Sequence, residues 1–150
     1  MHMTPAPTPR ITLSRLKKRS TTPLEGVPMA TRAGSVDPGA LLYVLRERKL
    51  TLDQLDHALE HESGLAALGG VEDELAFAVY TYRIAGAVAA MTATVGGVDA
   101  LVFTAGVGEH REDVRDAIVA RLRHLGEFEV LVLAAREELV AARHARELLA

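Results

Sequence analysis

Residues 96–115, GGVDALVFTAGVGEHREDVR, decide how the chain is read. A glycine pair opens the stretch, VDALVF follows as a short apolar run, Gly106 and Gly108 form a second glycine turn, and charged residues then begin a helix. An apolar run of this length between glycines suits a buried parallel strand. The G-x-G turn after it is either a plain bend or a cradle for a phosphate-bearing ligand. Glycine lets backbone approach a ligand and tolerates positive φ, and a helix starting near Glu112 would point its free N–H groups back at the turn. Spacing alone does not choose between the two.

Working outward, Phe77, Tyr80, Ile84, Val88 and Met91 recur at helical spacing and predict a long, largely buried helix from Val71 to about Val95, ended by Gly96-Gly97. Val114, Ile118, Leu122 and Leu125 predict another from Glu112 to about Leu125, closed by Gly126. FEVLVLA (128–134) reads as a second strand and REELVAARHARELL (136–149) as a terminal helix. Helix, strand, helix, strand, helix calls for a parallel sheet covered by helices, an α/β fold rich in helix. Two strands rarely stand alone, so further strands from a partner or a larger assembly are expected.

Upstream, residues 21–39 are dense in Pro, Gly, Ser and Thr and read as loop. Asp37-Pro38 supplies an N-cap and a first-turn proline for a helix ending near Lys49. Thr51 caps a second helix with a Leu52, Leu55, Leu59 stripe, stopped at Ser63-Gly64, and the two are expected to form a helical hairpin. LAALGG (65–70) is a short break before the long helix.

At 150 residues and 49% hydrophobic, the chain suffices for one domain with a core of its own. The absence of cysteine excludes disulfides and thiolate metal sites, and a cytoplasmic location is expected. No run reaches the roughly 18 apolar residues that span a bilayer, so no membrane partner is expected. Arg10, Arg15, Lys17, Lys18 and Arg19 give residues 1–24 a charge of +5 with no acid, leaving −8 for the rest of a chain whose net charge is −3. Residues 1–21 thus have the composition of a disordered arm. The acidic body would repel a phosphate backbone and the head has no aromatic residues for stacking, so no nucleic-acid partner is expected. His57 and His61 stand at i, i+4, but the glutamates around them mark a surface face rather than a metal site.

TPLEGVPMATRAGSVDPG (22–39), ESGL (62–65), YRIAG (82–86), GGVDALVFTAGVGEHREDVR (96–115) and EVLVLAAREELVAAR (129–143) occur in an order that resembles the C-terminal half of the acetate kinase family. The resemblance implies a ribonuclease H-like domain over residues 22–150, with a partial mixed or parallel sheet flanked by helices and with internal deletions. It implies transfer of the γ-phosphoryl of ATP to acetate or a similar short carboxylic acid, giving acetyl phosphate and ADP, with Mg2+. It places Arg32, from the family's M-G-T-R motif (here Met29-Ala30-Thr31-Arg32), at the transferring phosphoryl, where a guanidinium fork suits the charge. Gly106, Val107, Gly108, Glu109 and His110 match the family's G-I-G-E-N loop on the adenine nucleotide, with His where the family has Asn. Glu137, from T-N-E-E-L, inherits a magnesium role, and Ala135 and Arg136 replace the Thr and Asn before it. The family's N-terminal half, with its catalytic aspartate and acetate pocket, has no counterpart upstream of Thr22. The expected partner is therefore a second copy in a homodimer or a separate N-terminal half, and the chain alone is expected to be weak or inactive. The alternative is a non-catalytic remnant that binds nucleotide or dimerises.

Overall fold

Parallel pairing of two short strands organises the computed structural model, which describes residues 24–149. β1 (Ala100–Thr104) and β2 (Glu129–Leu133) pair in register from Ala100 opposite Glu129 to Thr104 opposite Leu133. Parallel neighbours cannot be joined by a tight turn, so the chain between them must cross over. That crossover holds α4 (Ala105–His110), α5 (Glu112–Arg121) and a 3-10 turn (Arg123–Leu125), after which Gly126 turns the chain at φ 90°. The single helix expected from Glu112 to Leu125 is thus a helix and a tighter turn.

Val114, Ile118 and Leu122 follow one another every four residues and are 1–2% exposed. They meet Phe103 of β1 and Ala85 of α3 (Glu74–Val95), with Phe77, Tyr80, Ile84 and Leu101 packed around them. Burying a side chain such as Ile118 stabilises by about 1.5–3 kcal/mol. Ala76 and Thr81 of α3 are also fully buried, and the Thr81 hydroxyl satisfies itself by donating to the Phe77 carbonyl at 2.9 Å.

Local signals set the helix ends. Asp37 accepts from the Gly39 amide at the head of α1 (Pro38–Glu47). Thr51 and Gln54 form a reciprocal capping box on α2 (Leu52–His61), which satisfies two of the helix's unpaired donors. Asp73 accepts from the Leu75 and Ala76 amides, so α3 starts at Glu74 rather than Val71.

Burial departs from expectation in four places. α3 is not largely buried: one face packs, while Leu75, Tyr82, Met91 and Val95 are 61–76% exposed because no described residue covers the other. It is long and apolar enough to cross a bilayer by length and composition, a test the core helices of soluble proteins also pass. β1 is half-covered, with Phe103 against the helices and Val102 exposed on the opposite face. The two strands pair in parallel, within the expectation, but α6 (Glu137–Leu148), expected to cover the sheet, has no buried residue. α1 and α2 flank one cavity through Leu41 and Leu59, but neither has a buried residue, so the expected hairpin is only loosely packed. The loop ahead of α1 binds instead to the end of α2, through Ala33 N–H to the Leu59 carbonyl at 3.1 Å and the Thr31 hydroxyl to the Glu60 carbonyl at 3.0 Å. Residues 1–21, with the basic head, lie outside the described residues.

Replacing Ile118 by Ala should cost about 2–5 kcal/mol in urea unfolding, since the cavity opens at the meeting point of α3, α5 and β1. A loss below about 1 kcal/mol would show that this contact does not carry the core.

Candidate functional site

β1 ends in a turn of unusual backbone. Ala105 has φ 57° and Gly106 φ 23°, ψ −111°, so the chain kinks before Val107 to His110 complete α4. Of the two glycines singled out in the sequence, only Gly106 has positive φ. Gly108 is helical, and a Cβ there would make ordinary contact with Phe103 at 3.6 Å. The second left-handed residue is Ala105, a conformation costing an L-residue about 1–2 kcal/mol.

The Glu109 side chain meets that cost. Its Oε1 accepts from the Ala105 amide at 2.6 Å and from the Ala135 amide, beyond the end of β2, at 2.7 Å. These amides, led by Ala135, hold the Glu109 carboxyl below its ordinary value, helped by the neighbouring His110 and opposed by partial burial. Arg115 reaches back from α5 to the Gly108 and Glu109 carbonyls at 3.0 and 2.9 Å, which satisfies the carbonyl end of α4. Arg111, between α4 and α5, binds Glu72 at 2.7 Å and grips Asp113 through Nε and Nη2 at 2.9 and 2.8 Å. The guanidinium holds the Asp113 carboxyl down at about 2 and is itself pushed up.

These elements enclose a cleft of about 530 Å³ at the carboxyl ends of both strands, where open α/β sheets bind ligands. Gly106, Glu109 and His110 line it from one side, Arg136, Glu137 and Glu138 from the other. Two segments 26 residues apart, singled out separately in the sequence, therefore share one cavity. Val107 and Gly108 lie outside its lining, and Val107 packs toward the core. Glu137 opens α6, is exposed and has no partner among the described residues, so its carboxylate faces outward to a ligand. A larger cleft of about 660 Å³ beside the end of α3 is lined by Val88, Met91, Val95 and Leu101 and offers one carboxylate, Asp99. Its lining supplies little chemistry.

Arg32 stands apart from the cleft lining. It is half-buried, and Nη1 makes a 3.9 Å contact with the Met29 sulfur. Its turn is held through main chain: Ser63, Leu65 and Ala66 N–H groups donate to the Thr31, Met29 and Ala30 carbonyls at 2.8–2.9 Å. Gly64 allows this approach, since at φ 63° a Cβ would collide with the Met29 carbonyl oxygen. His57 and His61 pair with Glu62 and Glu60 at 3.4 and 3.7 Å on an exposed face, and among the described residues no group of three His, Asp or Glu side chains is placed to hold a metal.

Sequence reading did not pick out Ala105, Arg111, Asp113 or Arg115. An acid two residues after an arginine at a helix start signalled the Arg111–Asp113 pair, whereas nothing local marked the backbone of Ala105.

The sequence pattern of the Acetokinase family matches residues 18–145. An acetate kinase of Protochlamydia amoebophila is 44% identical over 117 residues, covering 70% of this chain and 30% of its own. One of Gloeobacter violaceus is 40% identical over 121 residues with the same coverage. The chain thus spans about 30% of the length of these curated relatives. Among solved structures, Porphyromonas gingivalis acetate kinase superposes with a TM-score of 0.73 at 26% identity, covering 85% of this chain and 42% of that one. A propionate kinase from Francisella tularensis gives 0.70 at 27%, covering 77% and 39%.

Two measurements check the site's internal chemistry. Asp113 titrates lower when folded, so its contribution to stability should be full above its ordinary value of 3.8 and fade as the pH falls toward about 2. The stability gap between wild type and Asp113→Ala should shrink over that acid range, and a gap that instead closes near neutral pH refutes the pairing. Ala105→Gly should raise stability by about 0.5–1 kcal/mol in urea unfolding, and a loss would show that Ala105 is not left-handed in solution.

Proposed function

This chain belongs to the acetokinase family, and on that premise we propose that it is the nucleotide side of an acetate kinase-type phosphotransferase. The reaction is ATP plus acetate, or a similar short carboxylic acid, to acetyl phosphate and ADP. One observation carries the reading: the Gly106–His110 turn and the Glu137 helix start, apart in sequence, form the two walls of one cleft at the strand ends.

In such a transfer a carboxylate oxygen bonds to the γ-phosphorus as the bond to the ADP oxygen breaks, and catalysis is mostly positioning and charge neutralisation. The Gly106 turn and His110 would take the adenosine part, with Glu109 shaping that wall and Val107 and Gly108 joining the two from behind the lining. Glu137, exposed and without a partner among the described residues, fits a magnesium that would take its remaining ligands from nucleotide phosphate and water. Bound there, the metal would neutralise phosphate charge, while Arg136 on the same wall adds a cation. Arg32 would hold phosphoryl or carboxylate oxygens through its fork, from a turn outside this cleft.

The likeness to the two solved kinases supports a ribonuclease H-like architecture for residues 22–150. Completion would come from a second copy in a homodimer or from a separate N-terminal half. The uncovered apolar face of α3 and the bare face of the sheet suit such a partner. A cytoplasmic protein free of membrane and nucleic acid fits the same reading. The uncovered faces also favour a second one, a non-catalytic module that keeps nucleotide binding or dimerisation.

Purified chain titrated with ADP and Mg2+ should melt higher, by about 1.4 kcal/mol of added stability at ten times the dissociation constant. A hydroxamate assay for acetyl phosphate should stay at the blank. No stabilisation at millimolar ADP overturns nucleotide binding. Turnover by the chain alone that Arg32→Ala abolishes overturns the expectation that it is weak or inactive without its partner.

A further inference from the structure

We propose that Glu109 is a positioning residue, a latch that ties the ends of both strands together and sets the spacing of the cleft walls. The proposal rests on the nucleotide reading only for the ligand, since the latch itself is a matter of backbone geometry. The last ladder pair is Thr104 with Leu133. Immediately beyond it the two chains diverge, one into the kink at Ala105 and Gly106, the other toward α6. At that point a single oxygen, Glu109 Oε1, accepts from both chains, Ala105 at 2.6 Å and Ala135 at 2.7 Å.

A side chain therefore extends the sheet where backbone pairing ends. One wall residue, Gly106, follows Ala105 directly, and Glu137 follows Ala135 by two positions, so both walls hang from the amides that Glu109 holds. The latch also explains the left-handed Ala105, whose N–H is aimed at the carboxylate. A direct contact with nucleotide phosphate does not suit this group. It is an anion on the cleft wall, and its Oε1 is committed to main chain. Arg115 fixes it from behind by holding the Glu109 carbonyl at 2.9 Å.

The test compares the wild-type chain, Glu109→Gln and Glu109→Ala by amide NMR and by titration with ADP. In wild type the Ala105 and Ala135 amide protons should move together with pH, at one midpoint below the ordinary glutamate value of 4.5. His110, Arg136, Glu137 and Glu138 share the cleft and Arg115 lies behind it, but of these groups and Glu109 only Glu109 accepts from both amides, so a common midpoint reports its carboxyl. Glu109→Ala should abolish the joint titration and weaken ADP by about tenfold or more. Glu109→Gln, whose amide oxygen can accept both bonds, should abolish the titration yet restore ADP affinity to within about threefold of wild type.

Independent midpoints for the two amides, or an Ala variant that leaves both unmoved, overturn the latch. Altered amides with unchanged ADP affinity overturn its positioning role. If wild type takes no ADP, the nucleotide reading fails and the joint titration alone decides whether the latch exists.

Discussion

The parallel pairing of β1 with β2 is the constraint from which the rest follows. Two strands running the same way oblige the chain to travel back along its own length, and here it does so through α4 and α5. That return journey lays Val114, Ile118 and Leu122 over Phe103, and α3 closes the core from the side. It also brings the ends of both strands to one edge, each followed by a segment with polar side chains. The cleft is thus a by-product of topology: any parallel pair with a helical crossover opens a space at its carboxyl edge. What fills that space chemically is left to a few residues, among them His110, Arg136 and Glu137.

Features governed by neighbours in sequence were legible before any coordinates. Asp37 and Thr51 cap the helices they were expected to cap, and Gly96 and Gly126 turn the chain where expected. Each depends on a side chain or a missing Cβ acting within a few residues. Gly106, Glu109, His110 and Glu137 were legible too, as members of two motifs, although their shared cavity is a property of the sheet register. Exposure was not legible. Met91 and Val95 have the hydrophobicity of core residues, and only the absence of a covering element in three dimensions leaves them bare. Ala105 escaped for a different reason: alanine rarely adopts positive φ, and what holds it there is a carboxylate that also reaches a residue 26 positions further on.

The electrostatics divide into two kinds. Arg111 and Arg115 are structural cations: one clamps the lead into α3 to the start of α5, the other closes the carbonyl end of α4. Their charge is spent within the fold. Arg136 and Glu137, by contrast, stand at the head of a helix with no buried residue, and their charge faces whatever enters the cleft.

The turn that carries Arg32 is fastened almost wholly by peptide groups: three N–H donors from residues 63–66 meet three consecutive carbonyls, 29–31. Such a mounting is indifferent to which side chains it displays. Gly64 lets the two segments approach, and no bond in this mounting passes through the side chain at position 32. The address of the loop is thus set by peptide groups, separately from the side chain it displays.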